Sequence, residues 1–198
     1  MKYPMSLDVL MDAQSWWGRW FRAKRVPALV GPDVMSHTCP AGEEDNRCLY
    51  GEGDDSVVAS AEQSFLQLEK DGELSPGWWM ALTPCYRDEK ILDEAHLPVF
   101  LKLELMRLGD EAVSYSRMDA QWLAEQFQKF FDEFYAMPTT LLATKDGFDV
   151  MYEDLELGSY GVRTTMTGKS YVYGTGLAEP RASLALMRFR DKSMSKFD

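Results

Sequence analysis

The chain has 198 residues, 45% apolar and 27% charged, and its 21 basic and 32 acidic residues give a net charge of −11. This size suits one domain that buries roughly 70% of the surface its unfolded form exposes, and the composition excludes a disordered chain, a collagen-like repeat or a coiled-coil rod. The acidic balance repels polyanions, which argues against nucleic acid as the main partner, and no apolar run is long enough to span a bilayer.

With no basic-then-apolar leader after Met1, a cytoplasmic protein is expected. Cys39, Cys48 and Cys85 are odd in number and lack a CxxC spacing, which fits a reduced compartment better than a disulfide framework. His37, Cys39 and Cys48 offer three zinc ligands without a fourth member or a tight first pair.

In chain order, Ser6 caps a predicted helix whose apolar positions Leu7, Leu10, Met11, Trp17 and Phe21 recur at helical steps, with Gly18 as its weak point. Asp8 and Asp12 near its start and Arg19, Arg22, Lys24 and Arg25 near its end complement the helix dipole, and the same four cations are candidates for phosphate binding. Residues 26–30 read as a short strand between prolines, and residues 40–55 as a loop able to fold over a site. Ser60 and Gln63 form a capping-box pattern that opens a helix ending near Gly72. Two strands follow, then a helix over 119–135 carrying Leu123, Phe127, Phe130 and Phe134 on one face. Asp146-Gly147 turns between strands 141–144 and 148–157; residues 171–176 form a last strand; and Pro180 opens a last helix at its first helical position. Without a regular βαβ rhythm, the expected class is α+β, a mostly antiparallel sheet flanked by helices.

Chemistry concentrates in residues 77–106. Period-two geometry puts Thr83, Cys85, Arg87 and Glu89 on one face of the first strand, and His96, Phe100, Lys102 and Glu104 on one face of the second. The opposite row, Leu97, Val99, Leu101, Leu103 and Leu105, is expected to point into the core. A hairpin would then bring together a guanidinium for phosphate, an aromatic platform and carboxylates for an amine or a metal. The same pattern also reads as a solvated sheet face with an Arg87–Glu89 ion pair. Gly174 and Gly176 would allow close backbone approach by a ligand, and an anion would relieve Arg181 in the first helical turn. Alternation places Asp154 and Glu156 on one face, where they would meet magnesium or simply water.

Together these segments resemble the catalytic core of class II aminoacyl-tRNA synthetases and their paralogues. Cys85-Tyr86-Arg87-Asp88-Glu89, His96-Leu97-Pro98-Val99-Phe100 and Leu103-Glu104 look like the family's second motif, and residues 174–181, Gly174-Thr175-Gly176 through Pro180-Arg181, like its third. Residues 21–32 fit the looser first motif, and Ser60-Ala61-Glu62 a substrate-side motif. Residues 84–87 and 149–157 are similar to pyrrolysyl-tRNA synthetase; Glu156-Leu157-Gly158-Ser159 with Gly161-Val162-Arg163 is similar to ammonia-dependent asparagine synthetase. Val99, where many synthetases carry an acid, and Pro180, before the motif arginine, depart from the pattern.

The resemblance implies a class II synthetase/biotin ligase-like fold, a homodimer helped by Trp16, Trp17 and Trp20, and the use of ATP and Mg2+. Arg87, Arg181 and Glu156 would be catalytic, and Glu89, His96, Phe100, Gly174 and Gly176 would bind ATP beside Arg87 and Arg181. Glu156 would hold the metal; Glu62, Glu104 and Ser159 would face the substrate, the two glutamates toward an amine. Residues 1–198 read as one catalytic domain without an appended tRNA-binding or editing domain. The expected activity is ATP-dependent adenylation of an amino acid or related small carboxylate and transfer to a non-tRNA acceptor. A compact synthetase that charges tRNA and a non-catalytic regulatory or accessory paralogue are the alternatives.

Overall fold

A computed structural model describes residues 5–39 and 53–195. Cys48, and most of the loop expected over 40–55, therefore lie outside the described residues. Helix α1 (Leu7–Trp17) begins where Ser6 Oγ accepts from Val9 N–H at 3.4 Å, and it stops at Gly18. The weak point is thus the end of the helix. Arg19, Arg22, Lys24 and Arg25 lie beyond it, so the helix dipole does not account for them.

Strands β1 (Arg22–Ala23), β2 (Leu29–Val30) and β3 (Ser56–Val57) are short. The strand expected over 26–30 is only β2, which pairs with β3 apart from the main sheet. Pro32 instead starts α2 (Pro32–Thr38), where its missing N–H costs nothing. Helix α3 (Ala61–Lys70) carries both halves of the Ser60/Gln63 capping box. Strands β4 (Gly77–Tyr86) and β5 (Val99–Leu108) form the expected antiparallel hairpin, with Tyr86 opposite Val99.

Helix α4 (Arg117–Tyr135) starts two residues earlier than expected, because Ser116 and Asp119 form a second capping box. Ala136 closes it in the left-handed region, φ 50°. The expected strand over 148–157 is two strands, β7 (Gly147–Tyr152) and β8 (Leu155–Thr164), separated by a turn at Glu153, φ 55°. Strand β6 (Thr140–Ala143) precedes them; β9 (Ser170–Ala178) and α5 (Arg181–Met194) complete the chain order. Pro180 is the N-cap of α5 rather than its first helical residue.

The sheet has seven strands in the order β1-β4-β5-β9-β8-β7-β6, antiparallel at every pairing except β1 with β4. Pleating divides β5 between its faces. Leu103 and Leu105 join Trp16, Trp17, Phe127 and Phe130 in one core under α1 and α4, whereas Met106 and Leu108 join Phe65, Leu66 and Tyr171 in a second core with α3. Each such large side chain, fully buried, contributes about 1.5–3 kcal/mol. The apolar row predicted on β5 is buried only at Leu103 and Leu105; Val99 is 48% exposed because the hairpin tip outruns its helical cover. Trp16 and Trp17 belong to the core of this chain, so neither is available to fill a dimer interface. Among the described residues no helix is long and apolar enough to cross a membrane.

Candidate active site

Even-numbered residues of β5 that face α3 carry the polar row Phe100, Lys102 and Glu104. Arg87 and Glu89 follow the end of β4, and the Arg87 amide donates to the Pro98 carbonyl at 3.0 Å, which ties the loop stem together. His96 stands in the same loop, its Nδ1 at 2.8 Å from the Asp93 carboxylate. Backbone N–H groups of Ala95 and His96 also point at Asp93 and, with the imidazole, hold its carboxyl below the usual range.

These residues meet Glu156 of β8, Thr175 of β9 and Arg181 of α5 around one cleft, whose narrower part encloses about 490 Å³. A wider part of about 1390 Å³, open to solvent, continues past Ser60, Glu62, Glu104, Ser159, Arg163 and Tyr173. Arg87, Glu89, His96, Glu156 and Arg181 border both parts. Three segments far apart in sequence therefore supply one concave surface.

The two motif arginines differ. The Arg87 side chain has no hydrogen bond or ion pair among the described residues; its guanidinium lies 5.1 Å from the centre of the Phe100 ring. Arg181 Nη1 lies 3.3 Å from Glu156 Oε1, in a contact half open to water. Arg87 is thus a cation awaiting an anion, and Arg181 a cation lightly held beside one. The expected Arg87–Glu89 pair does not form among the described residues.

Gly174 and Gly176 are not on this surface. A Cβ at Gly174 would stand 2.5 Å from the Tyr160 ring, and one at Gly176 3.0 Å from Leu103, both on the face covered by α1 and α4. Their small size serves core packing, not ligand approach, and between them only Thr175 borders the cleft. Asp154 also separates from Glu156: the turn at 153–154 sends it toward Arg188, at 3.5 Å, with 87% of its side chain exposed.

Glu62 and Glu104 line the wider part but are already engaged. Arg163 Nη1 donates to both Glu62 oxygens at 2.9 and 3.0 Å, and the Tyr171 hydroxyl donates to Glu62 at 2.8 Å. Glu104, 1% exposed, receives Lys102 Nζ at 2.7 Å and a hydrogen bond from Ser60 Oγ. Burial pushes the Glu104 carboxyl above the usual range, against the pull of Lys102.

Two residues escaped the sequence reading as site members. Asp149 pairs across β7–β8 with Ser159 of the cleft wall; burial, with Glu156 nearby, raises its carboxyl against the pull of the Ser159 hydroxyl. It was hidden by the unpredicted turn at Glu153, which folds Asp149 back beside Glu156. Arg163, 4.3 Å over the Tyr173 ring, was visible only as the end of the Gly161-Val162-Arg163 string. Among the described residues no group of three or more His, Cys, Asp or Glu side chains is placed to hold a metal ion, so His37 and Cys39 form no zinc cage there.

No protein-family model and no curated protein matches the chain. Solved structures do. The pyrrolysyl-tRNA synthetase PylSc of Desulfitobacterium hafniense superposes with a TM-score of 0.72 at 16% identity, over 96% of this chain and 70% of that one. A second structure of pyrrolysyl-tRNA synthetase from that organism gives 0.70 at 18%, over 96% and 71%. Seryl-tRNA synthetase of Pyrococcus horikoshii, complexed with ATP, gives 0.67 at 14%, over 90% and 49%. The chain has the catalytic fold of the class II aminoacyl-tRNA synthetases.

Proposed function

We propose that this protein is a ligase that uses ATP to activate a small carboxylate as its adenylate and passes the acyl group to an acceptor other than tRNA. The observation that carries this reading is the unpaired Arg87 guanidinium facing, across one cleft, Arg181 beside Glu156. A cation kept without a counter-ion in a concave site gains most when an anion arrives.

In the proposed reaction a carboxylate oxygen attacks the α-phosphorus, the bond to the β-phosphate bridging oxygen breaks, and pyrophosphate leaves with the electron pair. Two anions must approach each other, so Arg87 would neutralise the reacting carboxylate and α-phosphate while Arg181 holds the far phosphates. Phe100 offers the flat apolar surface suited to a purine, with His96 and Glu89 at its edge. In the second step the acceptor attacks the acyl carbon and AMP departs.

Glu156 and Asp149 suit magnesium held chiefly by phosphate oxygens, because that ion keeps few protein ligands. When bound, Mg2+ would neutralise phosphate charge; Ser159 would orient Asp149 toward it. Homodimerisation is part of the proposal and is tested by the molecular mass in solution.

The test is exchange of pyrophosphate into ATP, screened over small carboxylic acids and amino acids. Acid-dependent exchange without RNA supports the reading, with a loss of about 10²–10³-fold in Arg87→Ala. Stabilisation by ATP with no exchange for any acid would leave a nucleotide-binding accessory protein instead. A second reading, a compact tRNA-charging enzyme, draws on Arg19, Arg22, Lys24 and Arg25, which have no ion pair among the described residues. Acylation of an RNA pool by the purified chain would establish it.

A further inference from the structure

The loop between β4 and β5 carries Arg87, Glu89 and His96, three of the groups that border the cleft, yet its tip is apolar and open to water: Ile91 is 76% and Leu92 60% exposed. A tip without cover does not hold itself down, so another contact must place the loop. Within it, Asp93 accepts from the Ala95 and His96 amides, each at 2.8 Å, and meets the His96 ring, so residues 93–96 form one clamped turn. From that turn Glu94 Oε1 accepts from Arg188 Nη2 of α5 at 2.7 Å. Among the described residues this is the one hydrogen bond or ion pair that joins residues 88–96 to another part of the chain. The small side chain of Ala95, packed against the first core, lies beside it. Arg188 is in turn steadied from the β7–β8 turn by Asp154, 3.5 Å from its Nη1.

We propose that Arg188 is a positioning residue: through Glu94 it latches the β4–β5 loop against α5 and so holds Arg87, Glu89 and His96 at the narrow part of the cleft. The inference rests on the adenylation reading only in taking that part as the nucleotide end. Helix α5 sets the geometry. Arg181 opens it at the cleft, and Arg188, seven residues on, returns to the same side after two turns. One helix thus offers a first cation to the ligand and a second to the loop that would close on it. An exposed ion pair contributes little to global stability, and Glu94 is 48% exposed. A loop with no other polar tie to the body is more sensitive, because even an interaction of that size changes its open-to-closed ratio severalfold. A nucleotide lying between the loop and α5 would itself bridge the two, so nucleotide and latch reinforce each other.

Ile91 is the single isoleucine of the sequence, so isotopic labelling of isoleucine in the full chain gives a nuclear magnetic resonance spectrum of one amide, and that amide reports on this loop. In Arg188→Gln and in Glu94→Gln its order parameter should fall by about 0.1 or more from the wild-type value. A non-hydrolysable ATP analogue, titrated calorimetrically, should bind both variants about threefold more weakly, with the melting temperature little changed. The double variant should match either single one, and the analogue should raise the order parameter in all of them. Lys192→Gln removes a cation from the same helix, but one whose partner is Glu153 outside the loop, and should move neither reading. An unchanged order parameter in Arg188→Gln, a lowered one with unchanged affinity, losses that add in the double variant, or an equal loss in Lys192→Gln would overturn the proposal. Should wild type take up no nucleotide, the adenylation reading fails, and the Ile91 amide alone decides whether Arg188 holds the loop.

Discussion

The two walls of the cleft handle charge in opposite ways. On the nucleotide side Arg87 is uncommitted and Arg181 is loosely held by a carboxylate that is 44% exposed. On the inner side Lys102–Glu104 and Arg163–Glu62 are closed pairs, each with a hydroxyl donating to the carboxylate and each glutamate nearly sealed from water. Cations left open respond to an incoming anion, whereas pairs closed in advance fix the shape of a wall. The same residue types thus serve reaction on one wall and architecture on the other.

The largest expected effect that tests this contrast is the loss of about 10²–10³-fold in pyrophosphate exchange for Arg87→Ala, with the melting temperature little changed, since no internal bond is lost. Glu62→Gln should behave in the reverse sense. It removes the partner of Arg163 and of the Tyr171 hydroxyl, so urea unfolding should show a cost of about 3 kcal/mol, at the lower end for a broken pair because Arg163 is part-exposed. Equal stability of Glu62→Gln and wild type would show that the inner wall is not built on this pair. Gly174→Ala should cost about 2 kcal/mol in the same measurement through the crowding of Tyr160, and should leave the KM for ATP unchanged. A raised KM would return Gly174 to the binding surface.

The smallest effect is in pH. Glu104 titrates higher in the folded chain than in the unfolded one, so the folded state keeps its proton longer. Its contribution to stability is full below the unfolded value, near that of an ordinary glutamate, and declines as pH rises through the raised folded value. Melts of wild type and Glu104→Gln at about pH 5 and about pH 8 should therefore show the variant gaining relative to wild type at the higher pH. A gain at the lower pH would reverse the sign assigned to burial here.

What could be read in advance was what is local. The Ser60/Gln63 box and the alternation that puts Phe100, Lys102 and Glu104 on one face need only neighbours in sequence, and both stand in the fold. The turn at Glu153 was opaque because a glutamate in the left-handed region carries no glycine or asparagine signal. The glycines of β9 misled because a missing side chain serves a ligand and a tyrosine ring equally well. Glu62 and Arg163 lie 101 residues apart, and no spacing rule announces such a partnership. Even Arg19 to Arg25, placed by the dipole argument at a helix end, stand outside the helix because Gly18 stops it first.

Phe100, Lys102 and Glu104 are rungs on a single strand, each step spanning about 7 Å. Base platform, central cation and deep acid are thus measured out along one ruler, and none can be re-aimed without the others. Inserting or deleting a single residue between Phe100 and Glu104 would turn part of this row toward the tryptophans beneath and bring leucines up in its place. Such a lineage can alter its chemistry by exchanging side chains in place, but lengthening this stretch by one would dismantle the row.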